Sequence, residues 1–186
     1  MKPTTQNSSA GVQVLDAEAI GRALRRIAHE IVENNADLNS VVLAGIPSRG
    51  VELAGRIAES IRSIAKIDID LGVIDVAMHR DDIGRRAELP IVRASKLPMP
   101  LDGRTVIIVD DVLYTGRTIR AAMDAISSFG RPAQIQLAAL VDRGHRELPI
   151  RADYVGKNLP SAPNDKVEVR LRETDDEPDA AWLVQP

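Results

Sequence analysis

Asp110 and Asp111 lie immediately after the apolar run Val106 to Val109, and Thr115-Gly116-Arg117-Thr118 follows after three intervening residues. Ionised carboxylates only accept hydrogen bonds, so a pair of them suits a ligand rich in hydroxyl donors. The Thr-Gly-Arg-Thr stretch offers the opposite chemistry: two hydroxyls, an unhindered glycine backbone and, where a helix begins, N–H groups with no intrahelical acceptor. Such a helix start favours a phosphate through its unpaired donors and its dipole. Acceptors for hydroxyls beside a cradle for a phosphomonoester describe a ribose 5-phosphate site, with the donors drawn from Leu113, Tyr114, Thr115, Gly116, Arg117 and Thr118. An Asp pair after a strand is most often an exposed turn; the buried strand before this pair and the helix start after it reverse that preference.

Positioning those groups takes a strand, a loop and a helix, and helical spacing resumes at Ile119, Ala122, Met123 and Ile126. The same order occurs upstream: Val41 to Ile46 reads as a strand, Pro47-Ser48-Arg49-Gly50 as a loop, and a helix follows with Leu53, Ile57, Ile61 and Ile64 inward. Ligands of an open α/β sheet sit outside the carboxyl ends of its strands. Both loops therefore face one crevice, where Arg49 and the N–H groups of Ser48 to Gly50 are placed to hold a second anion. Gln134 to Val141 forms another strand, and Asp142-Arg143-Gly144-His145-Arg146 after it reaches the same crevice. Ile67, Ile69 and Leu71 alternate with polar residues, and Val73 to Met78 continues the extended segment. The stretch from His79 to Glu88 is too charged for a core and lacks periodicity, so it reads as a mobile loop. Nearer the start, Asp16 caps a helix running to about Asn34 with Ile20, Leu24, Ile27 and Ile31 on its inner face. Arg22, Arg25, Arg26 and His29 form a separate basic stripe on that helix, a pattern that in an arbitrary helix marks a solvated face. A second basic cluster comprises Arg143, His145, Arg146, Arg151 and Lys157.

The segment 106–121 resembles the phosphoribosyl diphosphate (PRPP) signature of the type I phosphoribosyltransferases. Arg-Arg-Ile-Ala-His-Glu at 25–30, the loop at 110–118 and the stretch 141–158 are similar to the bacterial pyrimidine operon regulatory family, whose members are also uracil phosphoribosyltransferases. The resemblance runs from about Leu15 to Leu171. It implies a type I phosphoribosyltransferase fold: a mainly parallel central sheet flanked by helices, with a small hood. It further implies PRPP and uracil as substrates, Mg²⁺ bound with PRPP and touching Asp110 or Asp111, and a catalytic part for those two acids. Ser48, Arg49 and Gly50 would take the diphosphate, and His79, Arg80, Asp81 and Asp82 would belong to a loop that closes over PRPP. The family carries Thr at the position of Ser48, which keeps the hydroxyl, and Tyr at the position of His79, which does not keep the ring. Arg143 would lie near the base. Arg22, Arg25, Arg26, His29, His145, Arg146, Arg151 and Lys157 would bind the leader mRNA of a pyrimidine operon under control of UMP or UTP. A homodimer is implied, with further assembly left open.

Composition sets the bounds. The chain of 186 residues is 44% hydrophobic but only 2% aromatic, so its core must be built from aliphatic side chains. With no cysteine it has no thiolate nucleophile or disulfide framework, and three scattered histidines do not suggest a dedicated metal site. A net charge of −3 excludes indiscriminate nucleic-acid binding, so any RNA contact needs a local patch. No stretch is apolar enough to span a bilayer and no signal peptide is apparent, which points to a cytoplasmic protein with no membrane partner. Residues 1–12 read as a disordered tail, 13–172 as a single domain with its hood near 154–172, and 173–186 as an acidic, solvated tail without function. Two other functions fit the same residues: nucleobase salvage by a phosphoribosyltransferase with no RNA role, and nucleotide sensing by an RNA-binding protein with an inactive pocket.

Overall fold

The computed structural model describes residues 11–76 and 95–186. The expected tail up to residue 10, and the loop residues His79, Arg80, Asp81 and Asp82, lie outside the described residues.

A first strand, β1 (Gly11–Asp16), runs straight into helix α1 (Ala17–Asn34). Asp16 is the N-cap, its carboxylate accepting from the Ala19 N–H at 2.7 Å. Strands β2 (Val41–Gly45), β3 (Asp70–Val73), β4 (Thr105–Leu113), β5 (Gln134–Asp142) and β6 (Tyr154–Asn158) form a parallel sheet in the order β3-β2-β4-β5-β6. Helices cover both faces, which is why the central strands read as unbroken apolar runs. Leu43, Ile107, Val109 and Leu140 pack with α1 and α2 (Arg49–Ala65), whereas Val42, Ala44, Val106, Ile108 and Ala139 pack with α3 (Arg117–Ser127). The low aromatic content leaves one large buried ring, Tyr154, and its hydroxyl is satisfied by Asn35 at 3.1 Å and Gln136 at 2.9 Å. This polar knot ties the end of α1 to β5 and β6, and burial pushes the Tyr154 phenol up. Strand β3 is shorter than its alternation suggests, and Leu71 at this edge is 51% exposed.

Both chain ends correct the expected layout. Gly11 and Val12 are not tail but strand, and Tyr154 to Asn158 belongs to the main sheet rather than to a hood. The hood is a three-stranded antiparallel sheet, β1-β8-β7, made from β7 (Lys166–Arg170), β8 (Ala180–Val184) and the strand that opens the chain. Its middle strand comes from the stretch read as a solvated tail. Ala180 and Ala181 are buried there, and Trp182 lies opposite Gln13 and Glu168. The acidic run between β7 and β8, which includes the short helix α4 (Arg172–Asp175), docks on α2: Arg56 pairs with Glu173 and Asp179, and Arg49 with Asp175. A run of acids is solvated only if nothing basic faces it, and here α2 presents two arginines seven residues apart on one face.

Candidate active site

Asp110 and Asp111 lie in the carboxyl-terminal half of β4, the second of them two residues before its end at Leu113. Successive strand residues face opposite sides. Asp111 continues the row of Ile107 and Val109 toward α2, while Asp110 continues the row of Ile108 toward α3 and is 7% exposed. Each carboxylate accepts from the next N–H in the chain: Asp110 from Asp111 at 3.1 Å and Asp111 from Val112 at 2.8 Å. Burial pushes the Asp111 carboxyl above the usual aspartate range, opposed by the positive charge of Arg49.

The turn from β4 into α3 is the segment expected to cradle a phosphate. Leu113 is a buried strand residue whose carbonyl accepts from the Arg143 N–H, so its side chain and carbonyl are committed to the fold. Gly116 is the N-cap of α3 with φ 92°, a conformation that favours glycine, and a β-carbon there would press on Leu148 and Ile150. Thr115 Oγ accepts from the Arg117 N–H at 3.3 Å, and its carbonyl accepts from Glu147 and Leu148. Arg117 pairs with Glu147 at 2.7 Å. The cradle is thus stitched along its length to the loop after β5.

Two arginines expected to meet ligands are committed to this scaffold. Arg143, placed by resemblance on the base side, is 5% exposed. It donates to Ser161 Oγ and to the carbonyls of Ala162, Pro163 and Asp165, and its guanidinium lies 3.9 Å from the centroid of the Tyr114 ring. It holds the 161–165 loop against the turn, and all three guanidinium nitrogens donate there. Arg146, assigned to RNA, pairs with Asp142 at 2.5 Å and donates to the carbonyls of Tyr114, Gly144 and Ile150. In both cases a multi-donor arginine satisfies loop carbonyls, those of Ala162, Pro163 and Asp165 for Arg143 and those of Tyr114, Gly144 and Ile150 for Arg146.

At the start of α2, Ser48 is the N-cap without a side-chain capping bond. The first-turn N–H groups at Arg49, Gly50 and Val51 thus lack a side-chain cap among the described residues. Gly50 is demanded by packing, because a β-carbon there would sit 2.4 Å from the Val109 carbonyl oxygen. Arg49 is gripped by Asp175 through Nε at 3.0 Å and Nη2 at 2.6 Å. That bidentate bond raises the Arg49 guanidinium and lowers the Asp175 carboxyl.

The remaining basic residues divide into bound and unbound sets. Arg22 pairs with Glu18, and Arg26 donates to the carbonyls of Val155 and Gly156 at 3.0 and 2.6 Å, binding α1 to β6. His145 contacts the Ser161 carbonyl at 2.6 Å. Arg25, His29 and Arg151 are exposed, Lys157 is half-buried, and all four make no hydrogen bond or ion pair among the described residues. Arg25 and His29 line a cleft of about 470 Å³ between α1 and α2. Helix α1 meets β6 through Arg26, whereas Arg25 and His29 face the cleft toward α2.

Sequence reasoning missed Asp175, Glu147 and Ser161, each the partner of an arginine in or beside the crevice. The acidic run carried the only signal, and nothing in its spacing pointed at α2, 126 residues away. Among the described residues no cluster of three or more metal-ligating side chains is present, and no helix is long and apolar enough to cross a membrane.

Comparison with known proteins bears on this geometry. A family model described as the phosphoribosyl transferase domain matches residues 11–174. A "Bifunctional protein PyrR" of Roseiflexus sp. (strain RS-1) is 54% identical over 173 residues, covering 93% of this chain and 94% of that protein. Another from Chloroflexus aurantiacus is 58% identical over 163 residues, covering 88% and 90%. Among solved structures, a hypoxanthine phosphoribosyltransferase of Staphylococcus aureus superposes with a TM-score of 0.73 at 19% identity, over 100% of this chain and 97% of that one. At that identity the likeness shows the fold.

Proposed function

We propose, for a chain that belongs to the phosphoribosyl transferase family and within it to the bifunctional PyrR proteins, two linked activities: transfer of phosphoribose from PRPP to uracil, and UMP-dependent binding of pyrimidine operon leader mRNA. The observation that carries the first is the helix start at Gly116 beside Asp111, with a second helix start at Ser48 across the same crevice. One phosphate cradle and one diphosphate cradle, separated by an acceptor for ribose hydroxyls, match the three parts of PRPP.

In the proposed reaction, N1 of uracil bonds to C1 of the ribose as the C1–O bond to diphosphate breaks, through a cationic sugar like that of glycoside hydrolysis, and the N1 proton passes to the departing diphosphate. No covalent nucleophile is required. Backbone N–H groups and hydroxyls of residues 114–118 fix the 5′-phosphate, and the Arg49 to Val51 N–H groups with the Arg49 side chain receive the leaving diphosphate. Asp111 accepts from ribose hydroxyls on the α2 side, and its negative charge stabilises the sugar cation. Mg²⁺ bound with PRPP would neutralise diphosphate charge. Asp111 fits such an ion, which takes one or two carboxylates with phosphate oxygens and water.

For RNA, the support lies in Arg25, His29, Arg151 and Lys157, which make no hydrogen bond or ion pair among the described residues. Arginine planes can stack on unpaired bases where aromatics are scarce, and a symmetric dimer would double the patch. The test measures binding of the purified protein to its host's pyrimidine leader RNA across a salt series, with and without UMP, alongside diphosphate release from PRPP and uracil. Expected are UMP-enhanced binding with a steep salt slope and uracil-dependent release. Absence of RNA binding at every UMP concentration would leave a salvage enzyme; absence of release would leave a nucleotide sensor.

A further inference from the structure

The Arg49–Asp175 pair joins the diphosphate loop to a segment that the transferase chemistry does not otherwise use. Asp175 takes the Nε and Nη2 edge of the guanidinium, at 3.0 and 2.6 Å. A guanidinium has five N–H donors in a rigid fork, so this grip leaves three of them, including the whole Nη1–Nη2 edge. Asp175 is itself fixed: the oxygen that meets Nε also accepts from the Leu171 N–H at 2.9 Å. Its short helix is pinned to α2 on both sides by Glu173 and Asp179 on Arg56. Arg49 directly precedes Gly50, which packs on the Val109 carbonyl beside Asp110, and its guanidinium ends on Asp175, so the side chain links the end of β4 to the segment that carries the hood.

We propose that Asp175 is a positioning residue for diphosphate departure, holding one edge of Arg49 so that its other edge faces the anion at the start of α2. The inference rests on the transferase reading above. A long arginine on a helix start has many rotamers, and a carboxylate on its far edge selects one before substrate arrives. The pair is nearly neutral, so its value to the diphosphate is aim rather than long-range attraction. A competing role, in which Asp175 is a counter-ion that diphosphate must displace, predicts the opposite sign.

The test uses the full chain with Asp175→Asn, Arg49→Ala and the double variant, reading diphosphate binding by calorimetry, PRPP turnover, UMP affinity and the thermal midpoint. Asp175→Asn is expected to weaken diphosphate binding and raise KM for PRPP about tenfold, a loss typical of a charge-assisted bidentate contact. UMP, which carries no diphosphate, should bind within roughly twofold of wild type. In the Arg49→Ala background the same change should leave diphosphate affinity unaltered while still lowering the midpoint, since a neutral amide oxygen accepts the Leu171 N–H more weakly than a carboxylate in either background. Unchanged or tighter diphosphate binding by Asp175→Asn would overturn the proposal, as would an equal loss in the absence of Arg49. Failure of the wild-type protein to release diphosphate from PRPP would instead remove the transferase reading, and this inference with it.

Discussion

Asp111 pairs a catalytic assignment with a cost to the fold. Its carboxyl is raised above 3.8 chiefly by burial, so the folded protein binds a proton more tightly there than the unfolded chain does. The stabilising contribution of this group is therefore complete below the unfolded value and lost as pH rises through the folded one. Replacing the ionisable group should have the reverse effect at neutral pH. Asp111→Asn is expected to raise the thermal midpoint at pH ~7, each 1 kcal/mol appearing as roughly 2–4 °C in a domain of this size, with the gain shrinking toward pH ~4. The same variant should turn over PRPP at least about tenfold more slowly. Calorimetry across pH and a diphosphate-release assay check the two halves; a folded variant with wild-type turnover would remove Asp111 from the mechanism.

The segment from α4 to β8 closes the hood sheet and fastens it to α2. Glu173 and Asp179 are lowered from 4.5 and 3.8 first by their hydrogen bonds to Arg56, and Asp175 from 3.8 by its bond to Arg49. Carboxylates lowered in this way stabilise the fold above their unfolded values and lose that contribution as pH falls through the folded ones. Arg56→Gln should therefore cost about 1–2 kcal/mol at pH ~7, the range for a half-buried, charge-assisted contact, and the deficit should close as pH falls below ~4. Urea denaturation of both proteins across that window is the measurement, and a deficit independent of pH would mean that packing rather than charge holds the segment.

Across the whole molecule, the fold separates arginines that build the crevice from those that face solvent, and the two classes should respond differently. Arg146 threads the cradle loop to the loop after β5, whereas Arg25 makes no bond among the described residues. Arg25→Gln is expected to weaken leader RNA binding and reduce the salt slope by about 1 while transferase activity stays unchanged. Arg146→Gln should lower PRPP turnover and RNA binding together, because it loosens the turn proposed to cradle the phosphates of both PRPP and UMP. Parallel filter-binding and turnover assays separate these outcomes, and an Arg146→Gln protein with intact turnover would return that residue to the RNA surface.

Local information was enough for the parallel sheet core, the capped first helix and the two helix starts at Ser48 and Gly116. Apolar runs, an N-cap Asp and glycines at tight approaches act over a few residues and read the same in any context. The hood, the partners of the arginines and the fate of the acidic run were decided only by tertiary structure. Ion pairs and sheet edges depend on which segments the fold brings together, and no spacing within residues 172–184 points to β1 or α2. Opposite charges carry no address in the sequence; the α/β core supplies it by setting α2 and the two ends of the chain side by side.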